Sequence, residues 1–160
     1  MIEFQDALKK SRAYNLIKHD IDTGNLSHAY MVISPDVFAV QNLFRLIACA
    51  VYCKDACTTC PVCKKVLNGN HADVKFINED GKKIKVEDVA ALIEDTETKP
   101  FESDNKLYFV NYADKMNPAA QNKLLKTGLL LINQRLILRR LLLEMLLLRQ
   151  RQQLIMMLVN

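Results

Sequence analysis

The chain has 160 residues, half hydrophobic and a quarter charged, which is typical of one globular domain with its own core. The formal charge of +4 is confined to the end: residues 1–127 hold 15 Lys and 2 Arg against 17 Asp and Glu, and residues 128–160 hold five Arg and one Glu. The body of the chain therefore has no net charge with which to capture nucleic acid at long range.

The first third of the chain predicts two helices around a buried strand. Residues 4–23 place apolar side chains on one helical face, and residues 29–33 are nearly all apolar, as in a short buried strand. A turn follows in which Asp36 is suited to cap a helix. Residues 37–52 then keep a helical period of apolar side chains.

The rest of the body alternates in the same way. A short helical turn is predicted at 64–67, a strand at 71–78, a helix at 85–94, a strand at 106–113 and a helix at 118–126. The order strand, helix, strand, helix, strand, helix predicts an α/β domain with a mostly parallel sheet flanked by helices.

Four cysteines follow the second predicted helix with the spacing C-x3-C-x2-C-x2-C: Cys53, Cys57, Cys60 and Cys63. A tetrahedral Zn²⁺ takes four soft ligands at about 2.3 Å, and short spacings let one loop supply them. Two disulfides or a redox pair are the alternatives. The N-terminus carries no apolar stretch of the secretory type, which indicates a cytoplasmic protein, and there such clusters more often bind metal. Four thiolates would close the coordination shell, so we predict a structural zinc ion. Cys49 lies one helical turn before the cluster and is predicted to be a core residue, with a ligand role only if Cys53 is not one.

Three segments of this body resemble one family: SHAYMVIS at 27–34, the cysteines followed by GNHADVKFI at 69–77, and KLYFVNYADKMNPAAQNKLLKT at 106–127. They are similar to the subunits of the bacterial DNA polymerase III clamp loader, and most of all to its delta prime branch. The resemblance implies an AAA+-type first domain, a degenerate P-loop NTPase fold, over residues 1–127, with an inserted zinc module at 53–63.

The phosphate-binding loop of the family is degenerate here. Nucleotide-binding members carry glycines, a lysine and a hydroxyl residue after the first strand, which close on the phosphates. The corresponding stretch at 34–42 reads SPDVFAVQN, beginning with Ser34 and Pro35, with Val40 at the lysine position and Gln41 at the hydroxyl position.

The magnesium site is degenerate as well. The resemblance implies an acidic pair at the end of the third strand, where this chain has Asn111 and Tyr112. Because both the phosphate-binding loop and the magnesium site are altered, we expect neither tight ATP binding nor ATP hydrolysis, and no catalytic residue.

The tail departs from the family. From residue 128 the chain reads GLLLINQRLILRR, with 13 Leu in 33 residues and no lysine. Its leucines allow a coiled-coil-like helix, a basic surface-binding helix or no defined role, and we favour the last. We predict that the tail is helical and that it is out of frame or otherwise not the native continuation. The chain would then lack the arginine finger, lid and collar that the resemblance implies. No apolar run approaches the roughly 20 residues that span a bilayer, so no membrane association is expected.

Five further polar residues each allow a functional and a structural interpretation. His28 would contact a nucleotide cleft or hydrogen-bond within its loop, and His71 would replace a cysteine ligand or begin the second strand. Lys115 and Lys123 would touch DNA or lie in solvent, and Asp114 would be a helix N-terminal charge without a catalytic role. The structural interpretation is favoured for all five.

We therefore expect a non-catalytic clamp-loader subunit that works beside the other subunits on the sliding clamp and primer–template DNA. The alternatives are an ATPase-type, gamma/tau-like subunit of the same complex and a stand-alone zinc-stabilised interaction module.

Overall fold

The computed structural model describes residues 2–27, 29–131 and 153–159. The helices and strands, in chain order, are α1 (Ile2–Lys9), α2 (Arg12–Asp22), β1 (Ala29–Ser34), α3 (Val37–Tyr52), α4 (Pro61–Leu67), β2 (Val74–Ile77), α5 (Val86–Thr96), β3 (Leu107–Val110), a 3-10 turn (Ala113–Lys115), α6 (Pro118–Leu131) and β4 (Gln153–Val159).

The N-terminal region forms two helices where the sequence predicts one over residues 4–23. Ser11 interrupts the helix with extended backbone, and its hydroxyl accepts a hydrogen bond of 3.2 Å from the N–H of Tyr14. A serine side chain offers the backbone this alternative to a continuous helix, so the prediction of an unbroken helix is wrong at this residue.

The sheet has the order β1-β4-β3-β2. Strands β2 and β3 pair in parallel, with Val74 opposite Leu107 and Ile77 opposite Val110. Strand β4 runs antiparallel to both of its neighbours, so β1, β2 and β3 all point in one direction. The prediction of a mostly parallel sheet is therefore confirmed only in part: the three body strands share one direction, but only one of the three pairs among the described strands is parallel.

The predicted helical tail is wrong for residues 153–159, which form β4. Six consecutive apolar residues at 154–159 suit a strand that has a neighbour on each side, and the helical prediction overlooked that run. Helix α6 also continues through Leu131, and residues 132–152 lie outside the part of the chain that the structure describes.

The core lies on both faces of the sheet, and β3 contributes to each. All four residues of β3 are buried, with Leu107 and Phe109 in the cluster under α3 and Tyr108 and Val110 in the cluster under α5 and α6. Alternation of side chains along a strand produces this division. The prediction of a central strand that is apolar on both faces is confirmed.

Within the described residues, no helix has the length and apolarity that crossing a bilayer requires.

Candidate functional site

The four cysteine sulfurs form one cluster. The Sγ atoms of Cys53, Cys57, Cys60 and Cys63 all lie within 4.8 Å of one another, and those of Cys53 and Cys57 are 3.7 Å apart. Sulfurs bound at about 2.3 Å to a tetrahedral ion stand about 3.8 Å from each other, so the observed spacing fits one metal ion. All five cysteines of the chain are free thiols. The cluster is compatible with a structural metal site.

The loop between α3 and α4 turns tightly to bring the thiols together. Ala56 and Thr58 have positive φ angles of 42° and 62°, in the left-handed region that reverses the chain within a few residues. The side chain of Lys9 donates a hydrogen bond of 3.1 Å to the carbonyl of Ala56, which ties the loop to α1. A residue outside the cluster therefore helps to hold this turn.

Helix α4 carries the second pair of thiols and begins earlier than the predicted turn at 64–67. It starts at Pro61 because proline suits the first helical position, and Cys60 acts as its N-cap. The sulfur of Cys60 accepts from the N–H of Cys63 at 3.4 Å, and the sulfur of Cys57 accepts from the N–H of Cys60 at 3.4 Å. Such N–H to sulfur bonds orient metal-ligating thiolates and lower their basicity.

The thiols of the cluster differ in acidity. Hydrogen bonds from the Thr59 side chain and from the N–H groups of Cys60 and Thr59 lower the pKa of Cys57 to about 6. Burial raises the pKa of Cys63. Because metal binding requires the thiolate form, Cys57 is ready for a metal at neutral pH, while Cys63 must release its proton on binding.

Cys49 lies outside the cluster, as predicted. It is fully buried in the core, and its Sγ donates to the carbonyl of Cys63 at 3.8 Å. Burial raises the pKa of this thiol to about 11, so it remains protonated at neutral pH and is a poor metal ligand.

The stretch from Ser34 to Gln41 forms a capped helix start. The N–H of Asp36 donates to the hydroxyl of Ser34 at 3.1 Å, and the N–H of Ala39 donates to the carboxylate of Asp36 at 3.0 Å. Free N–H groups at a helix start attract phosphate, but here a carboxylate already accepts from one of them. Val40 is 4% exposed and belongs to the core. The exposed ring of Pro35 lies in the turn before the helix.

Asn111 and Tyr112 follow β3 directly. The N–H and the Nδ2 of Asn111 both donate to the carbonyl of Ile77, at 2.9 and 3.2 Å. Its Oδ1 is buried and accepts no hydrogen bond from the described residues. Tyr112 has a φ angle of 51°, and its ring lies against Gly81 so closely that a Cβ there would meet the ring at 3.0 Å. The end of β3 therefore presents an amide and a phenol, and neither is a carboxylate of the kind that Mg²⁺ prefers.

The remaining candidates take structural positions. His71 is buried just before β2, stacks on Tyr52 with ring centroids 4.4 Å apart and accepts from the N–H of Asp73 at 3.2 Å, outside the sulfur cluster. Lys115 is exposed; its Nζ donates to the carbonyl of Gly81 at 2.6 Å.

Two others sit on neighbouring elements. Asp114 is exposed in the 3-10 turn, and Lys123 is half-buried on α6. His28 lies outside the described residues.

Sequence reasoning missed Asp73, which organises the loop before β3. Its carboxylate accepts from the N–H of Phe101 at 2.6 Å, the N–H of Glu102 at 2.8 Å and the hydroxyl of Ser103 at 2.6 Å. Asp73 falls within the strand predicted at 71–78, and its donors lie 28 to 30 positions further along the chain, so no local pattern indicates this role.

The fold is that of a mixed α/β protein with a small parallel pair of strands, and its four-cysteine cluster is compatible with a structural metal site. The family described as "DNA polymerase III, delta subunit" matches residues 9–128, and the chain belongs to that family.

Curated relatives agree with this assignment. The chain is 33% identical over 119 residues to DNA polymerase III subunit delta' of Bacillus subtilis and 28% identical over 119 residues to that of Haemophilus influenzae, covering 72% and 71% of this chain. It is also 25% identical over 129 residues to the tau/gamma subunit of Haemophilus influenzae, covering 78% of this chain and 19% of that protein. The chain spans about a third of the delta' relatives, 36% of each. No solved structure matches it.

Proposed function

We propose that this chain acts as a delta prime-type clamp-loader subunit that takes part in sliding-clamp loading without binding or hydrolysing ATP. The family assignment supports the clamp-loader role. The observation that carries the ATP-independent part is the start of α3, where Asp36 caps the helix and Val40 is packed in the core.

Electrostatics support this part of the proposal. A triphosphate at the start of α3 would meet the carboxylate of Asp36 at short range, and no lysine follows within the stretch 34–42 to offset its charge. Like charges brought together in a partly desolvated site repel each other. At the end of β3, Asn111 and Tyr112 would give Mg²⁺ no carboxylate.

We assign the cysteine cluster to a structural zinc ion held by Cys53, Cys57, Cys60 and Cys63. Four thiolates at tetrahedral spacing are a donor set that zinc prefers, and they leave no open position for water or substrate. The ion would fix the turn between α3 and α4 and so stabilise that end of the fold.

For the domain organisation we propose an AAA+-type domain over residues 1–127 and a tail at 128–160 that is not the family's native continuation, although residues 153–159 of that tail add β4 to the sheet. Two observations support this division: the family match ends at residue 128, and the change of composition falls at the same point. The partners we propose are the other clamp-loader subunits, with the sliding clamp and primer–template DNA reached through the complex, in the cytoplasm.

The second candidate function is that of an ATPase-type subunit, which the similarity to a tau/gamma protein favours. A calorimetric titration of the chain with Mg-ATP separates the two. We expect no saturable binding at micromolar nucleotide, either by the wild type or by the Asp36→Asn variant, because removing one charge restores neither the glycines nor the lysine. Micromolar affinity in the wild type would establish the ATPase-type candidate instead.

A further inference from the structure

Two side chains of α3 reach the loop that follows β2. The Nε2 of Gln41 donates to the carbonyl of Glu79 at 3.2 Å, and a guanidinium nitrogen of Arg45 lies 2.6 Å from the Glu79 carboxylate. Residues four apart on a helix share one face, so both contacts leave the same side of α3. Glu79 is thereby joined to α3 through its backbone and through its side chain.

Arg45 also makes a cation–π contact with an aromatic ring of the core. Its guanidinium lies over the ring of Phe76, 4.5 Å from the centroid. That ring stacks on Phe109 at 5.1 Å, and Phe109 meets Phe44 of α3 at 4.8 Å. An arginine placed between a carboxylate and an aromatic face gains from both contacts and loses rotational freedom. The stacked rings of Phe76 and Phe109 therefore support the guanidinium that contacts Glu79.

The loop after β2 is internally bonded and connected to β3. Asn78 has a φ angle of 59°, and its Nδ2 donates to the carbonyl of Lys82 at 2.9 Å and to that of Asn111 at 3.1 Å. The N–H of Gly81 returns to the carbonyl of Asn78 at 3.2 Å. Residues 78–82 are thus joined by their own hydrogen bonds, and Glu79 makes the contacts with Gln41 and Arg45 of α3.

We propose that Arg45 and Glu79 form a latch that keeps loop 78–82 closed on α3 without a bound ligand. The latch spans the sheet edge at which β1, β2 and β3 end, the edge that a nucleotide would otherwise order. This inference rests on the proposed function, since a subunit that binds no nucleotide must obtain a fixed edge from its own side chains. A second state, with the loop released, becomes populated when the ion pair is broken.

Hydrogen exchange followed by mass spectrometry on peptides covering residues 78–82 tests the latch. Arg45→Met and Glu79→Gln each remove the ion pair, and Glu79→Gln leaves the backbone acceptor for Gln41 in place. We expect Arg45→Met to raise exchange in this loop by about three- to tenfold, the range for a partly exposed ion pair with a cation–π contact. Glu79→Gln keeps the contact between Arg45 and Phe76 and should raise exchange by a smaller factor. The double variant should exchange no faster than the faster single variant, because both residues act in one contact.

Asp80→Asn is the matched control. It removes the ion pair between Asp80 and Lys82, which is exposed and lies wholly within the loop. Exchange in residues 78–82 should stay at the wild-type rate. High salt should raise wild-type exchange and leave Glu79→Gln unchanged, because the partly exposed pair of Arg45 and Glu79 is screened by salt.

Unchanged exchange in both Arg45→Met and Glu79→Gln, or a rise no larger than that of Asp80→Asn, would overturn the latch. If Arg45→Met fails to fold by circular dichroism, Glu79→Gln and the salt titration decide. Nucleotide binding by the wild type would contradict the proposed function and is measured separately, so the two failures are distinguishable.

Discussion

Asp73 shows how one buried carboxylate orders a long loop. It is 1% exposed and accepts three hydrogen bonds from Phe101, Glu102 and Ser103. A buried charge is tolerated when hydrogen bonds replace its lost hydration, as they do here. The loop before β3 therefore has a fixed conformation although it contains neither helix nor strand.

Replacing Asp73 with Asn should destabilise the fold by about 1–3 kcal/mol, because the amide turns a donor toward backbone N–H groups that need an acceptor. Urea unfolding followed by circular dichroism measures the loss. Asp104→Asn is the matched control on the same loop, and its exposed side chain predicts a change within about 0.5 kcal/mol. Equal stability of the two variants would contradict the role of Asp73.

The stability difference between the wild type and Asp73→Asn should depend on pH. Burial raises the pKa of Asp73, but the hydrogen bonds from Phe101, Ser103 and Glu102 outweigh it, so the folded pKa lies below the usual value. Stability from this group is present above the unfolded pKa of about 3.9 and is lost as the pH falls through the folded value. The stability difference between the wild type and Asp73→Asn should therefore shrink below about pH 4. A difference that grows on acidification would have the wrong sign.

Among the helices and strands, those with a clean apolar period were predictable. Helices α3 and α5 and strands β2 and β3 appear where the pattern put them, because burial of one face determines them. The break at Ser11 was not predictable, because the helical pattern of residues 4–23 is equally compatible with an unbroken helix. The sequence pattern also does not predict the start of α4 at Pro61, because that start depends on a thiol acting as the cap. Nor does it predict the antiparallel strand β4, because β4 depends on pairing with residues far away in the sequence.

The sites were predictable to a similar extent. Spacing alone brought four cysteines together, because short gaps leave the thiols little room to separate. Asp73 and the contact between Arg45 and Glu79 were not foreseen, since their partners are 28 to 34 residues away along the chain. Long-range polar pairs leave no periodic signal.

Zinc binding should depend on the cysteines of the cluster and not on Cys49, which lies in α3. Cys57→Ser should abolish stoichiometric zinc and lower the melting temperature, because three thiolates leave the coordination shell open. Cys49→Ser, one helical turn before the cluster, should keep one zinc ion per chain. Elemental analysis of both purified variants makes the comparison. Zinc lost from the Cys49 variant and kept in the Cys57 variant would reverse the assignment.

At the level of the whole chain, α3 separates the sheet edge at its first turn from the cysteine cluster that follows its last residue. It has 16 residues and is therefore about 24 Å long. Its first turn carries the Asp36 cap at the sheet edge, and its last residues lead into the cysteine cluster. A metal ion held by the cluster would lie too far from that edge to act on a ligand there. This distance, with the closed set of four thiolates, supports a stabilising metal and a ligand-independent edge in one subunit.

Native mass spectrometry of the full chain, purified with reductant and without chelator and then incubated with Mg-ATP, tests both halves of this account at once. We expect one zinc ion per chain and no bound nucleotide at concentrations up to the low millimolar range. A saturating ATP adduct, or a reduced chain that carries no metal, would contradict a zinc-stabilised, ATP-independent clamp-loader subunit.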